Sequence, residues 1–206
     1  MKRWMVLGLL ACACGGSDGG GGTPDSGPPP GTGSFTGSVN GHGLTVNDAV
    51  FGIDPNAKFV TLIASDRTNL CTLLGGTTFP GGTVTVLGVA MVNYVSPPVP
   101  SDAIAGDYDW FALQGGTVPG AGKWFDGAFA LPTDCNGGGE VHFPTGGTIT
   151  ITQMGTTSGT HLKATYTNLT FDGGTLNGNV DAVYCVNAKV NPSCGKPLLY
   201  RPGASE

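Results

Sequence analysis

The chain has 206 residues, which is enough for one domain with a substantial core and short for two. Its 37 glycines and 15 prolines, with only 11% charged residues, are typical of many short strands joined by tight turns. The formal net charge is -5 and no cluster of Lys or Arg occurs, which argues against nucleic-acid binding and against electrostatic attachment to anionic lipid.

The first residues have the layout of a secretory signal. Lys2 and Arg3 form a positive start, a short apolar run follows, and the small residue Ala11 precedes Cys12. The apolar run is far shorter than the roughly 20 residues that a membrane-spanning helix needs. Residues 9–12, Leu-Leu-Ala-Cys, resemble the lipobox of bacterial lipoproteins.

This resemblance implies that residues 1–11 are removed, that the Cys12 thiol carries diacylglycerol, and that the new amino terminus is acylated. Cys14 is the alternative lipidation site, and an ordinary signal peptide cut nearby is the competing interpretation. Ala13 stands where an Asp would signal retention in the inner membrane, so the resemblance implies the outer membrane. The membrane, reached through the lipid, is therefore the first expected partner.

Residues 12–33 are expected to form a linker between the lipid and the folded domain. Past the cysteines this segment has no large apolar side chain, so burial cannot offset the entropy lost on ordering it. Its glycines predict a flexible coil, and Pro28–Pro30 predict a short stiff piece. Residues 34–206 are then the domain.

Strand patterns occupy most of that domain. In chain order, about nine strands are expected, at residues 35–39, 44–53, 58–64, 83–92, 107–113, 123–131, 148–152, 162–171 and 176–187. A short helical turn is expected within 65–74, and Asp172-Gly173 predicts a hairpin turn. The fold class is therefore all-β: a single antiparallel β-sandwich, with a closed β-barrel as the alternative.

Short patterns in the domain look like those of small β-rich lipoproteins of environmental bacteria. They are an early strand, Leu70-Cys71 after Ser65-Asp66, the strand over 146–152, and Gly-x-Val-x-Ala-x-x-Cys over 178–185. This resemblance implies a fold type and no particular activity.

The domain cysteines predict disulfides. With Cys12 lipidated and Cys14 in the linker, the remaining cysteines of an exported domain meet an oxidising compartment. Cys185 faces away from the apolar side of its strand and Cys194 follows it across a turn, which favours the pairs Cys185–Cys194 and Cys71–Cys135. The other pairings stay open, as does a zinc site, although no CxxC spacing supports zinc.

No motif commits the chain to a reaction or to a cofactor. Asp107, Asp109, Asp134 and Glu140 could supply the acid and nucleophile of a glycan-acting enzyme if two of them shared a cleft. Asp134, Asn136 and Glu140 could instead be weak calcium ligands in a glycine-rich loop, and a plain acidic turn is the simpler interpretation.

Aromatic residues concentrate between Tyr108 and Phe129. Tyr108, Trp110 and Trp124 could form a ligand-binding platform for sugar rings, or they could belong to the core, because Trp is highly buried on average. The histidines are isolated and show no metal-binding spacing.

Together these features favour a lipid-anchored cell-envelope protein that binds or holds a partner without catalysis. The partner would be another envelope protein or a glycan, and no cofactor is expected. A surface glycan-acting enzyme and a calcium-stabilised adhesion module are the alternatives.

Overall fold

A computed structural model describes residues 29–75, 84–96, 99–112, 119–131 and 140–188. Within these ranges the elements are β1 (Thr32–Val39), β2 (Asp48–Ile53), β3 (Val60–Ser65), α1 (Leu70–Gly75), β4 (Val86–Val95), β5 (Val99–Ser101), β6 (Gly106–Trp110), β7 (Gly122–Leu131), β8 (Glu140–His142), β9 (Pro144–Met154), β10 (His161–Phe171) and β11 (Gly174–Tyr184). β1 therefore begins at Thr32, ahead of Ser34, where the domain was expected to start.

The strands form one sheet that closes on itself as a barrel. Eight strands make the ring in the order β4-β3-β2-β11-β10-β9-β6-β7, and the pairing of β7 with β4 closes it. Three further strands lie beside the ring: β1 pairs with β11, β5 pairs with β4, and β8 pairs with β7. The all-β class is confirmed. The arrangement is the barrel expected as the alternative and not the sandwich, because β4 and β7 pair along nearly their whole length and leave no open edge between them.

Neighbouring strands are antiparallel except at two short parallel seams, β2 with β11 and β6 with β7. Following the strand directions around the ring places the last residues of β2, β4, β9 and β11 at one end of the barrel. β1 runs away from this end, and its first residue, Thr32, pairs with Asp181, three residues before the last residue of β11. We call this end of the barrel the tether end, because the N-terminal segment enters on its side, and we call the opposite end the distal end.

Side chains fill the barrel. Inward-facing residues from all eight ring strands form one buried cluster, whose largest members include Phe51, Tyr108, Phe125, Phe129 and Tyr166. Small eight-stranded barrels are commonly filled in this way. In the described residues the barrel interior is therefore a packed core.

A second apolar layer covers part of the outside of the barrel. The helix α1 contributes Leu70 and Leu74, which pack with Val50 and Ile63 on the outer faces of β2 and β3. A helix of six residues is too short to be stable alone, so tertiary contacts must hold it.

A buried carboxylate supplies one of those contacts. Asp48 is 4% exposed. Its Oδ1 accepts a hydrogen bond from the backbone N–H of Gly31 at 2.9 Å, and its Oδ2 accepts one from the N–H of Leu70 at 2.8 Å. Asp48 therefore fastens both the entry to β1 and the first turn of α1 to β2.

A disulfide between Cys71 and Cys185 supplies the other contact. The favoured pairing of Cys185 with Cys194, and of Cys71 with Cys135, was therefore wrong. Cys185 does face away from the barrel interior, as the alternation in its strand predicted. The error arose because α1 packs on that outer face and brings Cys71 over Cys185. Cys135 and Cys194 lie outside the described residues.

Candidate functional site

An open recess lies on the outer wall of the barrel, beside the disulfide, and reaches from the first residue of β2 to the segment after β11. Its volume is about 370 Å³, within the range of roughly 300–1,000 Å³ that is usual for ligand sites. The walls come from the entering chain, α1, the seam between β2 and β11, and the loop that precedes β10. The lining residues are Pro29, Pro30, Asp48, Val50, Asn69, Cys71, Thr72, Ser158, Val183, Tyr184, Cys185 and Val186.

The walls of the recess are held in place by covalent and buried polar contacts. The disulfide joins α1 to the segment that follows β11, and Asp48 holds the entering chain and α1 together. Prolines and valines make the surface mostly apolar, and Asn69, Thr72 and Ser158 are polar residues of the lining. Such a surface suits binding more than catalysis, because both oxygens of its one carboxylate, that of Asp48, already accept hydrogen bonds from backbone N–H groups.

A second polar site lies on the outer face of β10 and β11. Nδ1 of His161 is 2.6 Å from Oδ1 of Asp181, and Nζ of Lys163 is 3.5 Å from Oδ2 of the same carboxylate. A carboxylate on Nδ1 orients the imidazole and leaves Nε2 for another partner. In the described part of the chain no hydroxyl hydrogen-bonds that Nε2, so the pair does not form a Ser-His-Asp arrangement.

The sequence did not reveal this pair because a β-bulge brings it together. Thr167 and Asn168 on β10 face the single residue Asn177 on β11. Counting back from the hairpin turn without the bulge would place His161 opposite Tyr184. With the bulge, His161 lies opposite Val183, so Asp181 falls on the same face, one diagonal step away.

A third polar cluster lies at the distal end. Oε1 of Glu140 accepts a hydrogen bond from Nδ2 of Asn40 at 2.6 Å and lies 2.7 Å from Nε2 of His142. The hydrogen bond from Asn40, with smaller contributions from His142 and His42, lowers the pKa of Glu140 below its ordinary value. The sequence offered no signal for this cluster, because Asn40 and Glu140 meet only in the folded barrel.

Of the three calcium candidates, only Glu140 lies within the described residues. Asp134 and Asn136 lie outside the described residues, and Glu140 is in the cluster with Asn40 and His142. Within the described ranges, no group of three or more His, Cys, Asp or Glu side chains is arranged to hold a metal ion.

Two of the four acids proposed for glycan hydrolysis lie on an open sheet surface. Asp107 and Asp109 project from the outer face of β6 and are exposed. The hydroxyl of Thr150 donates to Oδ1 of Asp107 at 2.6 Å, and the hydroxyl of Thr148 donates to Oδ1 of Asp109 at 3.1 Å. Cross-strand threonines on β9, rather than the walls of a cleft, therefore surround these carboxylates.

The candidate aromatic platform is dispersed. Tyr108 is 0% exposed, and its hydroxyl both donates to the carbonyl and accepts from the N–H of Ile104. Trp110 packs against the barrel interior. Trp124 lies in an outer cluster with Phe111, whose ring centre is 5.6 Å away. The three side chains do not share one surface, and Tyr108 has no exposed face to offer a sugar ring.

Comparison of the chain with protein-family models, curated proteins and solved structures gives no match. In the part of the chain that the structure describes, no helix has the length and apolar character to cross a membrane. The fold and sites define a small, disulfide-bonded β-barrel protein with a preformed recess on its outer surface.

Proposed function

We propose that the chain is a lipid-anchored protein of the cell envelope, held in the outer membrane through Cys12, and that its barrel is a non-enzymatic binding module. The lipobox-like start and the glycine-rich linker support the anchor. The observation that carries the binding role is the recess beside the disulfide, a concave surface whose walls the Cys71–Cys185 bond and Asp48 hold in place.

The shape and chemistry of the recess indicate what it can bind. The described core fills the barrel, so a ligand would bind on the outside. Apolar walls with a few polar residues suit the apolar face of a sugar ring or a large side chain of another envelope protein. Because α1 is already fastened, little conformational entropy is lost when a ligand binds.

The anchor is tested with a matched pair of variants. Cys12→Ser should abolish incorporation of labelled fatty acid and move the chain out of the membrane fraction. Cys14→Ser, two residues away, should change neither result. The reverse pattern would move the lipid to Cys14, and labelling that survives both changes would overturn the lipobox assignment.

The binding role is tested by thermal melting of the full chain with a panel of glycans, and with calcium or a chelator. A ligand at 100 times its dissociation constant adds about 2.7 kcal/mol to the stability of the folded state. Thr72→Trp, at the recess, should abolish such a shift, whereas Thr167→Trp, on the exposed face of β10, should preserve it.

Other results of this scan would favour the alternatives. A shift that survives in Thr72→Trp would place the binding site elsewhere. A shift with calcium that the chelator reverses would favour the adhesion module. Release of reducing sugar from the panel by the parent chain would overturn the non-enzymatic assignment.

A further inference from the structure

The exposed apolar side chains collect at one end of the barrel. In the described residues the large apolar side chains that are exposed are Val95 at 45%, Val99 at 50%, Ile104 at 51% and Val186 at 54%. All four lie at the tether end: two flank the turn between β4 and β5, one precedes β6 and one follows β11. Exposed positions at the distal end carry polar residues instead, among them Asn40, His42, Glu140 and Asp172.

Isolated exposed valines are common on protein surfaces, so their grouping and rigidity matter. Val95 and Val99 are direct partners in the β4–β5 ladder, so their side chains share one face of this small hairpin. Ile104 is held by its backbone, because its N–H and its carbonyl both bond to the buried hydroxyl of Tyr108. The tether end therefore presents a fixed apolar surface, which we call the apolar rim and which consists of Val95, Val99 and Ile104.

Two lysines next to the apolar rim are held by polar contacts. Nζ of Lys58 lies 2.9 Å from Oδ1 of Asp102, and Nζ of Lys123 donates to the carbonyl of Ala105 at 2.6 Å. One ion pair and one hydrogen-bonded lysine therefore flank the apolar side chains of the rim. Such a surface suits the interfacial region of a zwitterionic bilayer and does not depend on anionic lipid.

The chain also enters the barrel on the side of this end. Pro29 and Pro30 line the recess together with Val186, which follows the last residue of β11, so the described end of the linker lies nearer the tether end than the distal end. From Cys12 to Pro29 there are about 17 residues, which would span roughly 20–25 Å as the coil that their glycine-rich composition predicts. A lipid on Cys12 would therefore hold the tether end, rather than the distal end, close to the bilayer.

We propose that the apolar rim docks on the surface of the membrane that holds the lipid anchor, with Val95, Val99 and Ile104 in its interfacial region. This proposal rests on the proposed lipid anchor. Attachment through a short linker raises the effective concentration of the rim at the bilayer to about the millimolar range. Contacts that are too weak to recruit a free protein can then fix the orientation of an anchored one.

The test uses the lipidated full chain in phosphatidylcholine vesicles and the Cys12→Ser chain in solution. Ser96→Cys reports on the rim and Asp172→Cys on the distal end, each by its rate of reaction with a membrane-impermeant maleimide, read site by site by mass spectrometry. The thiol at 96 should react about tenfold more slowly in vesicles than in solution, because the interface shields it, while the thiol at 172 keeps its rate. Val95→Asn with Val99→Asn should restore the rate at 96, and Thr165→Asn with Thr167→Asn on the barrel wall should not.

Three results would overturn the proposal. Equal rates at 96 in vesicles and in solution, on a chain that floats with the vesicles, would exclude docking and leave the anchor intact. Protection at 96 that appears in the Cys12→Ser chain as its concentration rises would assign the rim to a second copy. An intact chain that carries no lipid and does not float would remove both the anchor and the docking.

Discussion

The disulfide between Cys71 and Cys185 spans 114 residues and joins α1 to the segment directly after β11. Because α1 has only six residues, this bond largely determines where the helix lies on the barrel. It also fixes two walls of the recess.

Replacing both Cys71 and Cys185 with Ala should lower the free energy of unfolding by about 2–4 kcal/mol, because the unfolded chain regains the freedom that the long closed loop removes. Urea unfolding of the full chain measures this change. Thr72→Ala, exposed on the same helix, is the control and should stay within about 0.5 kcal/mol of the parent. An unchanged midpoint in the double variant would show that packing alone positions α1.

Asp48→Ala should destabilise the protein by about 2–3 kcal/mol, since the change leaves the N–H groups of Gly31 and Leu70 without their buried acceptor. Asp48→Asn should cost less, because its amide oxygen can still accept from one of the two donors. Asp109→Ala, on the exposed face of β6, is the matched control. Thermal unfolding compares the three, and an Asp48→Ala variant as stable as Asp109→Ala would refute the role of this carboxylate.

Two buried tyrosines should respond in opposite ways to loss of the hydroxyl. Tyr108→Phe removes two hydrogen bonds to Ile104 and should cost about 1–2 kcal/mol. The Tyr166 hydroxyl has no hydrogen-bond partner in the described residues, and burial raises its pKa well above the ordinary value. Tyr166→Phe should therefore be neutral or stabilising by up to about 1 kcal/mol. Chemical denaturation measures the free energy of unfolding of both variants. An equal loss of stability in Tyr108→Phe and Tyr166→Phe would contradict the difference proposed between the two hydroxyls.

The ionised carboxylate of Glu140 should raise the free energy of unfolding at neutral pH, and this contribution should disappear in acid. Its pKa in the folded barrel lies below the ordinary value of 4.5, chiefly through the hydrogen bond from Asn40, so the carboxylate stabilises the fold above pH 4.5. This contribution is lost as the pH falls through the lower, folded pKa. The stability of Glu140→Gln should thus fall below that of the parent at neutral pH and converge with it in acid.

The effect of Asn40 on the pKa of Glu140 can be measured directly. Asn40 has φ +48, which glycine also adopts, so Asn40→Gly removes the amide without straining the turn. Titration of the Glu140 carboxyl by NMR should then show its pKa move up towards the ordinary value. A pKa unaffected by the loss of the Asn40 amide would assign the shift to the histidines.

The β-bulge that creates the His161–Asp181 pair depends on Asn177. Its Oδ1 accepts the N–H of Asn168 at 2.7 Å, where the extra residue of β10 leaves the ladder. Asn177→Ala should destabilise the hairpin by about 1 kcal/mol, whereas Asn179→Ala, exposed on the same strand, should not. Hydrogen exchange of the β10 amides measures the local effect, and equal exchange in the two variants would argue against this role for Asn177.

Alternation in the sequence predicted the longer strands well. It also placed Leu176, Val180 and Ala182 correctly inside the barrel, and the turn predicted at Asp172-Gly173 joins β10 to β11. It missed β5 and β8, because strands of three residues are too short to show a period of two.

Which elements contact one another was much less predictable from the sequence than where each element lies along the chain. Alternation shows which face a residue occupies but not which strand lies beside it, so the closure of β4 on β7 could not be foreseen. The recess could not be predicted from the sequence for the same reason, because five separate chain segments supply its walls. The disulfide partner of Cys185 depends on where α1 packs, which spacing along the chain does not encode.

The pairing of β1 with β11 has a mechanical consequence. β1 is antiparallel to β11 along all eight of its residues, and the linker precedes its first residue. If the proposed lipid anchor holds the chain, tension transmitted through the linker would act along the axis of β1 and load its hydrogen bonds to β11 together, in shear, instead of breaking them one after another. The hydrogen bond from Gly31 to Asp48 would share this load at the point of entry, so force on the proposed anchor would be resisted by the whole β1–β11 ladder together with β2.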